Sequence, residues 1–296
     1  MRHLKKFFHL LSRIVPPRFH TLLTMWLCGL KSVGFFMDTI QKITSKDELR
    51  ASQEFFRKNA GRMEQVLSFL ADEKSMDVYR SIIQYRCCRK RRYIDPHMQK
   101  WRTIYLDKDL IVPSPSEIFI DCGAYYGETS LFFQDYCVSA GQPAPLCLMF
   151  EPDPTNFSRL QKSAKKFSKP PFLFQMGLWH EASQCNFVSA MFFSCRIEPS
   201  GQSSIAVDTL DHILETIPEP PAVTYIKIDV EGADMNVLRG ARKTILKYHP
   251  RIAVAIYHSD EHMLQIPEFL HELYPDYRFY IRHYTCFDAD TILYCI

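Results

Sequence analysis

From residue 118 onward the chain alternates short apolar runs with amphipathic stretches, and this alternation constrains its fold more than any other feature. The runs are Ile118–Asp121, Leu146–Phe150, Phe172–Met176, Tyr225–Val230, Ile252–Tyr257, Arg278–His283 and Thr291–Cys295. Helical patterns fall between the first five, over about 127–138, 154–167, 208–215 and 233–248, with another at 260–273. Apolar strands alternating with helices predict a parallel sheet covered on both faces, because each crossover lays a helix on the sheet. Only 183–206 breaks the alternation. It predicts a small β excursion with Phe187-Val188 and Ile205-Ala206-Val207 as its arms.

Ahead of that region the pattern is helical. Residues 46–70 space Leu49, Phe55, Phe56, Met63, Val66, Leu67 and Leu70 as an amphipathic helix does, with Gly61 weakening its continuity. A second helix is expected over 75–88, with Met76, Tyr79, Ile82 and Ile83 on one face. Arg86, Arg89, Lys90, Arg91 and Arg92 follow, as cations suited to a solvated helix end or as an anion site. The stretch 113–117 (PSPSE) reads as a linker, so the expected organisation is a helical region 1–112 and a sheet domain 113–296.

Charge and cysteine usage narrow the function classes. Six basic and no acidic residues lie in 1–37, so a chain of net charge +3 carries −3 over the remainder. That balance disfavours a nucleic-acid binder. The uncharged run 21–30 is too short to span a membrane, and no apolar run of spanning length exists. Three readings of this segment stay open: helices packed on the rest of the chain, a basic helix lying peripherally on a membrane, or a transit peptide. The ten cysteines form no CxxC pair and no zinc-type Cys/His spacing. Cys122, Cys137, Cys147, Cys286 and Cys295 fall in apolar runs, which points to reduced, buried thiols and a cytoplasmic protein.

The strongest chemical signal is the first strand–helix turn, IFIDCGAYYGETSLFF (118–133). Gly123 and Gly127 permit close backbone approach to a ligand. The spacing D-x-G-x-x-x-G differs from the nicotinamide fingerprint: Tyr125 occupies the central region, and Asp121 precedes the first glycine. An acid beside a pyrophosphate repels it, which argues against a nucleotide-dependent oxidoreductase. The same acid suits S-adenosylmethionine, which carries an ammonium and a sulfonium and no phosphate. At the end of the second strand, Glu151 stands where a carboxylate takes ribose hydroxyls, a solvated strand end being the plainer alternative. Asp153-Pro154 reads as a helix cap. In TYIKIDVEGAD (224–234), Lys227 and Asp229 point to one face, and Asp229 and Glu231 lie at the carboxyl edge where ligands bind. His258 ends the fifth strand at the same edge. A structural ion pair at Lys227 and a helix-start role for His258 are the alternatives.

The pieces IDCGAYYGETS, FEPDP, VDTLD (207–211) and KIDVEGADMNVLRGA (227–241) occur together and in order. Over about 118–260 the chain thereby resembles the FkbM-type family of S-adenosylmethionine-dependent methyltransferases. The resemblance implies a class I methyltransferase fold, a seven-stranded, mostly parallel sheet with the last strand antiparallel. It implies methyl transfer to a hydroxyl of a sugar or other small natural product. The family often has Asn where Tyr125 stands and Glu where Asp234 stands. The cofactor site expected is Asp121, Gly123, Tyr125, Gly127 and Glu151, and the catalytic group is His258, Asp229 and Glu231. His258 is the expected base near neutral pH. No resident metal is expected, the alternative being a cation on Asp229 and Glu231. A non-catalytic scaffold docking through its basic N-terminus is the competing class.

Overall fold

The computed structural model describes residues 46–188, 196–197, 203–217, 219 and 221–296, so the basic segment 1–37 lies outside the described residues. The helical region opens with α1 (Lys46–Lys58), α2 (Ala60–Phe69) and α3 (Glu73–Cys88). The single helix expected over 46–70 breaks at Asn59, whose side chain donates back to the Phe55 carbonyl at 2.9 Å and competes with the helical ladder. Asp72 caps α3 by accepting from the Ser75 N–H at 2.7 Å. The predicted face holds: Tyr79, Ile82 and Ile83 are buried and Met76 packs beside them. Three cations of the cluster at the end of α3 are paired: Arg86 holds Asp260, Arg89 holds Asp288 and the more exposed Arg91 holds Asp95.

All seven predicted strands form one sheet. They are β1 (Ile118–Cys122), β2 (Leu146–Phe150), β3 (Phe172–Phe174), β8 (Tyr225–Ile228), β9 (Arg251–Ala255), β10 (Phe279–His283) and β11 (Thr291–Cys295), in the order β10-β11-β9-β8-β1-β2-β3. β11 runs antiparallel to both its neighbours, and the pairs from β3 to β9 are parallel. Strand alternation splits the core. Ile120, Leu148, Phe150, Ile226, Ile228 and Val254 face one apolar cluster, which includes residues of α1, α2 and α3. Phe119, Cys147, Met149, Tyr225 and Ala253 face the other, with Tyr105, Leu106 and Ile111.

The remaining helices cover the sheet: α4 (Glu128–Ser139), α5 (Pro154–Ala164), α6 (Leu210–Thr216), α7 (Asp234–Gly240), α8 (Arg242–Tyr248) and α9 (His262–Leu273). The helix expected over 233–248 is divided at Ala241. Gly240 lies so close to β4 that an added Cβ would sit 2.0 Å from the Trp179 carbonyl oxygen. The β excursion is a second sheet of β4 (Gly177–Leu178), β5 (Ser183–Val188), β6 (Arg196–Ile197) and β7 (Ser203–Asp208), ordered β4-β7-β5-β6. Residues 113–117 are anchored: buried Glu117 pairs with Arg251 at 2.6 Å and accepts from the Ser114 N–H. Among the described residues no helix is long and apolar enough to cross a membrane.

Candidate functional site

The carboxyl ends of β1, β2, β8 and β9 meet at one edge of the sheet. The loop after β1 is fastened by the N–H groups of Gly123 and Ala124, which donate to the Phe150 carbonyl at 3.1 and 2.9 Å. Gly123 has φ +81°, and an added Cβ would lie 2.0 Å from the Asp229 carbonyl oxygen. No side chain fits there, so the loop rests directly on the end of β8. Tyr125, also at positive φ, stacks on Tyr126 with ring centroids 3.6 Å apart, and Gly127 starts α4.

Asp121 is wholly buried behind this loop. Its carboxylate lies 3.0 Å from Lys227 Nζ and accepts from Ser130 Oγ at 2.6 Å. Lys227 in turn donates to the Gly123 carbonyl at 2.7 Å and the Cys122 carbonyl at 3.2 Å. Burial pushes the Lys227 ammonium down, but Asp121 and Asp229 more than offset it, and the amine is held above its usual range. With no exposed surface, Asp121 bears on a ligand only through the loop it supports. The plainer reading of Lys227, a structural pair, is therefore present, and its partner is Asp121.

Glu151 is only 5% exposed. It accepts from the N–H of Tyr125 at 2.9 Å, the N–H of Asp153 at 3.0 Å and Asn156 Nδ2 at 3.3 Å. It thus ties the glycine loop to the β2–α5 turn. Burial pushes it up to about 7, against the pull of these three donors. Asp153 caps α5 through the Asn156 N–H at 2.9 Å, with Pro154 in the first turn.

Asp229, Glu231 and His258 come together across β8 and β9. His258 Nε2 lies 3.4 Å from Asp229 and 3.8 Å from Glu231, and its Nδ1 is 2.8 Å from buried Asp234. Burial opposes protonation of His258, but Asp234, Asp229 and Glu231 together push it up to about 9. Asp229 accepts from the hydroxyls of Tyr105 at 2.6 Å and Tyr257 at 3.3 Å. Glu231, at φ +54°, accepts no hydrogen bond among the described residues, and its side chain is 32% exposed. Burial and then Asp229 push it up to about 7, and Asp290 is pushed up to about 7 by the same causes.

Sequence reasoning gave Tyr105, Tyr257, Asp234, His262 and Asp290 no role in this cluster. Tyr105 comes from the helical region, where a tyrosine reads as core. Tyr257 precedes His258 and carried the only usable signal, a polar tip at the carboxyl edge. Arg86, also from the helical region, bonds both Asp260 and the Tyr257 carbonyl, and so fixes the turn that carries His258. Acids converge beside the loop, where Lys227 is spent on Asp121 and the loop carbonyls and Arg159 donates to the Tyr126 hydroxyl. That acceptor-rich set suits a positively charged ligand with a ribose.

A family model of the methyltransferase FkbM domain matches residues 121–284. Methyltransferase FkbM from Methylobacillus flagellatus KT superposes with a TM-score of 0.70 at 24% identity, over 82% of this chain and 60% of that one. The chain thus spans 60% of the length of that protein, and the likeness is one of fold. Fibrillarin of Aeropyrum pernix, solved with natively bound S-adenosyl-L-methionine, aligns at TM-score 0.39 and 15% identity, over 63% of this chain and 70% of that one. Precorrin-6y C5,15-methyltransferase of Geobacter metallireducens GS-15 aligns at 0.37 and 14%, over 68% and 93%. No curated protein matches the sequence.

Proposed function

Since the chain belongs to the FkbM methyltransferase domain family, we propose that it transfers the methyl group of S-adenosylmethionine to a hydroxyl oxygen of a saccharide or other small acceptor. The observation that carries this reading is the seating of the glycine loop, closed by Glu151, directly against the carbonyl of Asp229 in the Asp229–Glu231–His258 cluster. Gly123, Tyr125 and Gly127 shape the cofactor cradle, and Glu151 offers its remaining lone pairs to the ribose. Asp121 acts from behind, through Lys227 and Ser130. When bound, the cofactor supplies an electrophilic methyl group on a sulfonium.

This chain's own residues then have separable tasks. Asp229 already accepts from two tyrosine hydroxyls that fix its place, and it orients the acceptor and balances positive charge. His258, wedged between three carboxylates, is a hydrogen-bond donor, not a base. Glu231 accepts no hydrogen bond among the described residues and is partly exposed, and it takes the proton of the acceptor hydroxyl. The expectation from sequence gave that task to His258; the surrounding carboxylates reassign it. The main rate term is holding the acceptor oxygen in line with the methyl group. The free, buried thiols of Cys122, Cys137, Cys147 and Cys295 support a reducing, cytoplasmic setting.

The test is transfer of labelled methyl groups from S-adenosylmethionine to a panel of saccharides and hydroxylated natural products. Glu231→Gln should lower turnover by about 10²–10⁴-fold with unchanged affinity for S-adenosylhomocysteine. Full turnover in the variant removes Glu231 from the mechanism. Absence of transfer to any hydroxyl, with transfer to a nitrogen or carbon acceptor, removes the hydroxyl reading.

A further inference from the structure

We propose that Asp234, His258 and His262 form a binding site for one divalent transition-metal ion of the zinc type. Each offers one ligand atom, and the three atoms lie within 4.8 Å of one another. Asp234 Oδ2 is 2.8 Å from His258 Nδ1 and 3.6 Å from His262 Nδ1. Donors about 2.0–2.2 Å from a tetrahedral zinc ion stand about 3.3–3.6 Å apart, as Asp234 Oδ2 and His262 Nδ1 do, while the 2.8 Å between Asp234 and His258 is a hydrogen-bond distance that an ion would widen. The site is inside the protein: the Asp234 side chain has no exposed surface, and those of His258 and His262 are 9% and 11% exposed.

Two buried nitrogens here have no hydrogen-bond partner, His262 Nδ1 and His258 Nε2. The Asp234–His258 hydrogen bond leaves His262 Nδ1 unexplained, and an ion on that nitrogen explains it. His262 is set at the start of α9, its backbone N–H held by Ser259 Oγ at 3.1 Å, and its Nδ1 approaches Asp234 with nothing else to bind. His258 Nε2 faces Asp229 and Glu231 at 3.4 and 3.8 Å. A ligating histidine characteristically turns its second N–H toward a carboxylate, which fixes the tautomer. The Asp234 carboxylate is oriented in the same manner, by the N–H groups of Val230 and Gly232 at 3.2 Å each.

The ligand set decides the class of ion. Two imidazoles and one carboxylate suit zinc and its first-row neighbours, whereas magnesium and calcium take oxygen sets. Binding breaks the N–H or O–H bond of the proton shared by His258 Nδ1 and Asp234, releases that proton to water and puts metal–ligand bonds in its place. The bound ion holds the remaining imidazole proton on Nε2, aimed at Asp229. The site shares His258 with the proposed methyl-transfer site, but Asp234 and His262 lie outside that reading's catalytic and cofactor groups.

The test uses the full chain, stripped by a chelator and titrated with zinc chloride, with magnesium chloride as the contrast. The account expects one equivalent of zinc and no binding of magnesium. It expects cobalt substitution to give visible d–d absorption without thiolate-to-cobalt charge transfer. His262→Ala should weaken zinc binding by more than the about 10–100-fold that outer-shell changes cost. S-adenosylhomocysteine titration of the same variant checks its fold and keeps failure of the metal site distinct from failure of the cofactor site. Absence of stoichiometric zinc in the folded parent overturns the proposal. So does a cobalt spectrum with thiolate charge transfer, which places the ion on cysteines and needs no variant to read.

Discussion

Replacing Lys227 by Met isolates the buried pair that supports the glycine loop. Asp121 has no exposed surface, its carboxylate stands 3.0 Å from the ammonium, and its remaining donor is Ser130 Oγ. Met keeps most of the volume of the stem and removes the charge. The variant leaves a carboxylate buried beside a single hydroxyl and frees the carbonyls of Cys122 and Gly123 that the ammonium had held. Breaking a buried pair in this way costs about 3–5 kcal/mol, because the survivor is desolvated without compensation. At about 2–4 °C per kcal/mol for a large domain, the melting temperature should fall by about 6–20 °C. The double variant Asp121→Asn/Lys227→Met should be less destabilised than the sum of its singles by about 0.5–3 kcal/mol. Urea unfolding followed by circular dichroism reads both quantities. A single variant within about 1 kcal/mol of the parent, or strict additivity in the cycle, would refute the reasoning, since additivity between groups in contact means they do not interact.

Two further outcomes follow from the structure. Gly123→Ala should abolish binding of S-adenosylhomocysteine and lower stability by more than the about 1–2 kcal/mol of left-handed strain, because its Cβ would stand 2.0 Å from the Asp229 carbonyl oxygen; calorimetry and urea unfolding check it, and unchanged binding would show that the loop yields. Buried His283 is pushed down to about 4 by burial, so the folded state keeps it neutral. Its contribution is fully present above the unfolded value near 6.5 and is lost as pH falls from there toward about 4, a total of about 3 kcal/mol. His283→Gln should flatten that limb of the stability–pH curve, and an unaltered limb would show that other groups produce it.

The sheet was legible because each strand is a short apolar run between turn signals, and burial on both faces needs nothing subtler than that. The antiparallel direction of the last strand came only through the family resemblance, and the strand order came from the structure. Helix continuity was harder. Asn59 breaks a helix whose apolar spacing runs straight through it, by a local bond that spacing does not encode, and another helix is divided at Ala241 without a mark in its apolar spacing. Site residues on β1, β2, β8 and β9 were legible by position, since strand ends share one edge. Their roles were less so. Asp121 reads as a ligand contact until its burial against Lys227 is seen. His258 reads as a base by residue type and place, and the carboxylates of Asp229, Glu231 and Asp234 around it, on which the proposed reassignment rests, are not announced by local spacing. Tyr105 reaches Asp229 from 124 residues away in sequence, a contact no local pattern announces.

The central claim is that the glycine loop and Glu151 hold S-adenosylmethionine. Calorimetric titration of the full chain with S-adenosylhomocysteine tests it without an acceptor. The account predicts a saturable one-to-one isotherm with a micromolar Kd. It predicts about 10-fold or more weaker binding by Glu151→Gln, the loss expected when a charged hydrogen-bond acceptor becomes neutral. No binding by the folded parent, or equal affinity in the variant, would contradict it.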